Sequence, residues 1–180
     1  MKNTAELAAG LDHIQAAPKD HGRLEMIVRR PRTGEREELN AGQLTPGDGL
    51  VGDGWRRRMG ARAVPDTQIT LMNSRVATLL AGDIRRWAEA GDQLFVDLDL
   101  SEANVPPGTR LEIGTAVLEV VAQPHTGCRK FVERFGLDAM TFVNSDEGRS
   151  LHLRGIYAKV ITAGTVTLHD RIDLRRPSTA

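Results

Sequence analysis

The chain of 180 residues has one cysteine, one tyrosine, two tryptophans and four phenylalanines, and its 24 basic and 24 acidic side chains cancel. One cysteine excludes an intrachain disulfide and a Cys-rich zinc site, and it fits a reducing compartment. A formal net charge of zero leaves no whole-chain electrostatic footprint for nucleic acid or an anionic membrane. No apolar stretch approaches the roughly 18 residues that a membrane span needs. Met1 to Leu7 contain no long apolar core, and residues 8–17 carry no basic run. Neither a secretory signal nor a transit peptide is therefore expected, and the expected location is the cytoplasm. A dinucleotide glycine fingerprint and strand–helix–strand alternation are also missing. So are ligand sets for an iron–sulfur cluster, a flavin or a haem. Without repeats or linkers, the length predicts one domain.

What is present is a series of short strands joined by turns. Thr4 is a candidate cap for an N-terminal helix that places Leu7, Leu11 and Ile14 on one face and ends at Pro18. Strands are expected over 23–30 and 35–40, with Thr33-Gly34 turning between them. Residues 42–66, rich in Gly, Pro, Asp and Arg, read as one long loop of the kind often used for function. A strand over 67–72 leads to a helix capped by Asn73 or Ser74, and Asp83 caps a second helix closed by Gly91. Leu94, Val96, Leu98 and Leu100 alternate at period two, which predicts a strand buried on one face. Further strands are expected over 110–113, 116–122, 154–162, 165–168 and 172–174. The pattern predicts a mainly β, α+β chain: a closed or partly open antiparallel barrel with a few short inserted helices. A helical extension over 1–20, a barrel domain over 21–174 and a flexible tail over 175–180 are expected.

Cys128 lies in Pro124-His125-Thr126-Gly127-Cys128-Arg129-Lys130-Phe131, between an apolar strand and a short helical pattern stopped by Gly136. A lone cysteine is commonly a small buried hydrophobe. The polar neighbours argue otherwise, since a thiol at a helix start beside two cations favours thiolate, the form that attacks electrophiles and binds soft metals. His125 and Cys128 have a spacing that could begin a metal site, although zinc needs two further ligands. A Cys–His hydrolase is another option, with His125, His152 or His169 as base. Arg56, Arg57, Arg58 and Arg62 are either solvated surface or the donors of an anion pocket, since the guanidinium fork matches phosphate. Arg154 opens an expected strand, and an inward Arg at a barrel mouth needs an anionic partner.

Together these residues resemble the MOSC domain, named for the C-terminal part of molybdenum cofactor sulfurases. The correspondences are Gly52-Asp53, Gln68-Ile69-Thr70-Leu71, Asn104 with Pro107-Gly108, Arg110 to Gly114, Cys128 and the late hairpin Gly164-Thr165-Val166. They span about residues 45–172. One departure is His125-Thr126-Gly127, where many members have a proline or arginine directly before the cysteine.

The resemblance implies a β-rich barrel in which Cys128 either binds molybdenum or carries sulfur as a persulfide. Stand-alone relatives bind the molybdenum pterin cofactor, and some reduce N-hydroxylated bases or amidoximes. Carried over, this gives Cys128 as metal ligand with His125 as proton donor. Asp53, Arg58, Asn104, Thr126, Gly127 and Arg154 become cofactor-binding candidates, with Arg58 or Arg154 partnering the cofactor phosphate. A molybdenum-dependent oxidoreductase then takes a small-molecule substrate and electrons from a separate protein or reductant. In a sulfur carrier, a separate cysteine desulfurase loads Cys128, because the chain has no room for a pyridoxal-phosphate site. A non-catalytic cofactor-binding barrel is the third reading.

Overall fold

The computed structural model describes residues 1–178. Eleven strands, seven short α-helices and three 3-10 helices are distributed along them. The strands are β1 Gly22–Arg29, β2 Glu37–Leu39, β3 Ala41–Thr45, β4 Gly49–Leu50, β5 Ile69–Asn73 and β6 Leu94–Asp97. They continue as β7 Arg110–Ile113, β8 Ala116–Val120, β9 Ile156–Thr162, β10 Gly164–Thr167 and β11 Arg171–Arg175. The helices are α1 Thr4–Ala8, α2 Leu11–Gln15, α3 Trp55–Met59, α4 Ser74–Ala81, α5 Arg129–Phe135, α6 Leu137–Asn144 and α7 Asp146–Ser150.

Seven strands close a barrel in the order β11-β7-β8-β9-β5-β6-β1, and pairing of β1 with β11 completes the ring. β2 extends β1 outward, and β10, β3 and β4 form a small separate sheet. Inward side chains such as Leu24, Leu71, Leu94, Val96, Leu118 and Val160 fill the barrel. A second apolar layer lies between the barrel wall and the helices, with Met26, Met72, Phe95, Phe131, Phe135 and Val143.

The barrel is as expected, but several details differ. β5 and β6 pair in parallel. Parallel neighbours need a crossover, supplied here by α4 and a 3-10 helix over Ile84–Ala90. One strand–helix–strand unit therefore exists. It also explains why β6 is buried on both faces: Leu94 and Val96 point into the barrel, while Phe95 points into the helical layer. The period-two pattern showed only the inward row.

Residues 42–66 are not a structureless loop. They contain β3, β4 and α3, and α3 carries Arg56, Arg57 and Arg58. β3 pairs with β10, a partner over a hundred residues away, so no local pattern announces it. The N-terminal helix is broken at Ala9–Gly10 into α1 and α2, and its cap is Asn3, in a capping box with Glu6. Leu7 and Ile14 join the outer apolar layer. The strand expected from Arg154 begins at Ile156. Arg175 belongs to β11, and Arg176 donates to the Asn104 and Lys19 carbonyls and to Asn104 Oδ1, so the chain is tied down there. Thr179 and Ala180, the end of the expected flexible tail, lie outside the described residues.

Candidate functional site

Strand register brings distant segments to one end of the barrel. β8 runs out at Val120 towards the Pro124–Cys128 segment, and β9 starts at Ile156, directly after Arg154-Gly155. Leu71 pairs with Ile156 and with Leu94, and Ile27 pairs with Leu94. The start of β6, preceded by Asp92, and the end of β1, followed by Arg30, therefore arrive at the same place. Gly155 has φ +100°, and a Cβ there would lie 2.3 Å from the Leu71 carbonyl oxygen, so only glycine fits this close crossing.

A cleft of about 350 Å³ opens there and contains Cys128. Cys128 is exposed and is the N-cap residue of α5, with extended backbone. It is not a buried core thiol. Seven basic side chains line the cleft and no carboxylate does. Arg30 and Arg58 converge on Asp53, with Arg30 Nε 2.9 Å from Oδ2 and Arg58 Nη2 3.1 Å from Oδ1. Burial opposes ionisation of Asp53, but the hydrogen bonds and charge of Arg30, then the charge of Arg58, hold its carboxyl below the usual value. Arg32 faces Glu35 at 3.7 Å. Among the described residues, Lys130, Arg36 and Arg134 have no carboxylate within salt-bridge distance. Arg36 and Arg134 instead donate to backbone carbonyls of Ala88 and Glu89. Burial, and then the charges of Arg134, Arg30 and Arg58, lower the pKa of Arg36. The cleft thus holds an excess of positive charge that its own acids do not balance. An anion placed there would relieve it.

Arg154 finds its anionic partner inside the chain. Its Nη1 lies 2.8 Å from Oδ2 of the fully buried Asp92, its Nη2 donates to the Ala90 carbonyl, and its guanidinium stands 5.0 Å from the Phe131 ring centre. The side chain of His125 is also buried, and its ring packs 4.5 Å from that of Tyr157. Burial, then the charges of Arg154 and Arg30, push His125 well below the usual imidazole value, so the ring is neutral at neutral pH. Burial, then the Asp92 charge, raises Tyr157, which keeps its hydroxyl proton as a donor lining the cleft. A larger cavity of about 620 Å³ lies on another side of His125 and Arg154. It lacks Cys128 and the excess of cations, so the smaller cleft is the candidate site.

The sequence-derived candidates fall into three groups. Cys128, His125, Arg58 and Arg154 meet at the cleft. Thr126 lines the larger cavity, and Gly127 packs so tightly that a Cβ would lie 2.4 Å from Met140 Sδ. Asp53 lies behind the wall and braces Arg30 and Arg58, while Asn104 lines neither cavity. Asn104 Nδ2 donates to the Lys19 and Asp99 carbonyls and fastens the chain at the start of the barrel. Of the arginines in α3, Arg56 and Arg57 donate to the Gly47 and Pro31 carbonyls. His152 Nδ1 pairs with the Leu100 carbonyl, so among the described histidines only His125 shares the cleft with Cys128. Among the described residues, three potential metal ligands cluster only at half-buried Asp20 and Asp173 with exposed His21. Arg129 points to Glu133, leaving Lys130 as the neighbouring cation that lines the cleft.

Arg30, Arg36, Asp92, Arg134 and Tyr157 were not singled out from the sequence. Arg134 carried a weak signal, lying on the helix that Cys128 caps. Arg30, Arg36 and Asp92 arrive through long-range pairing and carried none.

A family model for the MOSC domain matches residues 53–173. No curated protein matches the chain significantly. Among solved structures, YiiM from Escherichia coli is similar, with TM-score 0.57, 23% identity and coverage of 88% of this chain and 72% of that one. The YUAD protein from Bacillus subtilis matches at TM-score 0.59 and 16% identity, over 87% of this chain and 97% of its own. YiiM from Geobacillus stearothermophilus matches at TM-score 0.58 and 17% identity, over 86% and 75%. At these identities the likeness is one of fold. No helix among the described residues is long and apolar enough to cross a membrane.

Proposed function

The chain belongs to the MOSC domain family, and on that footing we propose that it binds the molybdenum pterin cofactor in the Cys128 cleft and reduces N-oxygenated small molecules. The observation that carries this reading is an exposed thiol in a cleft lined by seven basic residues and no carboxylate. The residues fit the group on two counts. A thiolate is a soft donor suited to molybdenum. Lys130, Arg36 and Arg134 are cations without carboxylate partners among the described residues, placed to hold a phosphate.

In this reading Cys128 is the metal ligand, and Lys130, Arg36 and Arg134 hold the phosphate. Arg30 and Arg58 add positive field but are anchored by Asp53. Bound molybdenum supplies two-electron removal of an oxygen atom. Cleaving an N–O bond to an amine and water also consumes two protons, and His125 delivers one to the departing oxygen. The phenol of Tyr157 is a second hydrogen-bond donor beside it. Electrons come from a separate donor protein or reductant, and the cytoplasm is the compartment that suits a free thiol.

The sulfur-carrier reading uses the same exposed Cys128, but a single persulfide anion calls for fewer cations than the seven that line the cleft, whereas a phosphate-bearing cofactor uses several. Protein made in a host that synthesises the cofactor separates the two. Near-stoichiometric molybdenum, lost in Cys128→Ala, is the expected result. Metal-free, folded protein that gains a sulfur mass on Cys128 from a desulfurase would replace this reading with carriage.

A further inference from the structure

Five buried side-chain polar atoms lack a hydrogen-bond partner among the described residues, and three of them belong to one node: Asp92 Oδ1, His125 Nδ1 and Arg154 Nε. Such atoms are rare in native interiors and call for an explanation. Asp92 Oδ1 and His125 Nδ1 face each other at 3.6 Å. The other carboxylate oxygen is occupied by Arg154 Nη1, which fixes the carboxylate in place. On the other side, a Cβ on Gly155 would lie 3.3 Å from Nδ1, so backbone closes that side of the nitrogen. Nδ1 is sealed from solvent, whereas Nε2 is not sealed and takes no hydrogen bond from the described residues. One edge of the ring is therefore turned to a carboxylate, and the other meets open cavity.

We propose that Asp92 is a positioning residue for His125: Oδ1 accepts the Nδ1 proton, which makes Nε2 the nitrogen that exchanges protons with the site. The arrangement follows from satisfiability. Burial raises the pKa of Asp92, and the charge and hydrogen bond of Arg154, 2.8 Å away, oppose that shift. Held as a carboxylate by this ion pair, Asp92 only accepts, so Nδ1 donates to it and the tautomer is set. Arg154 balances the buried carboxylate charge, and its cation stays in place whichever tautomer the ring adopts. The catalytic consequence rests on the reading of His125 as the proton source. Burial and the charges of Arg154 and Arg30 keep the resting ring neutral, so a solvent proton taken up at Nε2 gives a transient, strongly acidic imidazolium whose charge faces Asp92. The same proton then leaves Nε2 for the substrate oxygen, and the neutral ring is restored. Electrons come from the separate donor, so neither residue changes oxidation state. Asp92 lies 33 positions before His125 in the sequence, so only the barrel register shows the pair.

Nitrogen-15 NMR of the full chain at neutral pH tests this without any bound cofactor, with His125→Gln assigning the ring signals. The expected wild-type spectrum has a pyrrole-type Nδ1 and a pyridine-type Nε2. In Asp92→Asn the carboxamide keeps its oxygen on Arg154 and turns its NH₂ to Nδ1. The two shifts should then exchange, with thermal unfolding checking that the fold is kept. A wild-type ring protonated at Nε2 would mean that Nδ1 accepts, as it would from a neutral Asp92 carboxyl, and it overturns the proposal. So does an Asp92→Asn spectrum unchanged from wild type. If Asp92→Asn does not fold, the wild-type tautomer alone decides. Failure to find molybdenum leaves this result standing, so the two readings fail separately.

Discussion

Replacing Asp53 by alanine removes the anchor of two cleft arginines at once. Its side chain is fully buried and takes hydrogen bonds from Arg30 N and Nε at 2.9 Å, Arg30 Nη2 and Arg58 Nη2 at 3.1 Å, and Trp55 N at 2.8 Å. Arg30 is 13% exposed, so its guanidinium keeps only the Gly91 carbonyl and is left without a counter-charge in a poorly solvated place. Breaking a buried pair from one side costs about 3–5 kcal/mol. Arg58, one-third exposed, is rescued largely by water and adds little. For a chain of this size that loss lowers Tm by about 6–20 °C. The pH dependence has a definite sign. Asp53 is held below its usual value in the folded state, so its stabilisation is complete above about pH 4 and fades as pH falls through the folded value. Urea unfolding of wild type and Asp53→Ala should therefore show a wide stability gap at about pH 7 that narrows at about pH 3. A Tm loss below about 3 °C, or a gap that is the same at both pH values, would refute the argument.

Other consequences are sharper in one dimension each. Arg134→Gln removes a cleft cation without a carboxylate partner, and a hydrogen bond to a charged group is worth about 1.5–3 kcal/mol. Cofactor retention, measured by dialysis at rising salt, should fall about 10- to 100-fold, and unchanged retention would take the phosphate away from this wall. Gly155→Ala forces a Cβ against the Leu71 carbonyl at φ +100°. Thermal unfolding should show a cost of about 2 kcal/mol or more, and a neutral effect would contradict the close crossing. The Cys128 thiol is exposed, so folded protein freed of cofactor should titrate one thiol with a disulfide reagent before any denaturant is added. A thiol that reacts only after unfolding would place Cys128 in the interior.

Local patterns carried the barrel strands but not the groups that complete the site. Period two in Leu94 to Leu100 exposed the inward row, because alternation is a property of a single strand. It could not show that Phe95 is buried too, since that depends on α4 and its following 3-10 helix crossing over the outside. β4 is only two residues long and β3 is held largely by β10, so the stretch from 42 to 66 read as a loop. The same limit applies to charge. Asp53 stood out beside two glycines, yet its partner Arg30 is 23 residues earlier. Arg154 announced the need for an anion, and the anion proved to be Asp92, 62 residues away. Cys128 and His125 were visible because they lie three residues apart on one turn. The burial that neutralises His125 comes from the packed fold around it.

The central claim is that the sulfur of Cys128 is bonded to molybdenum. Molybdenum-edge X-ray absorption on wild-type protein and Cys128→Ser, both made in a cofactor-producing host, tests it most directly. The account predicts a metal–sulfur shell in wild type that loses one sulfur when serine replaces Cys128. Equal sulfur shells in the two proteins, or folded wild type with no molybdenum to measure, would contradict it.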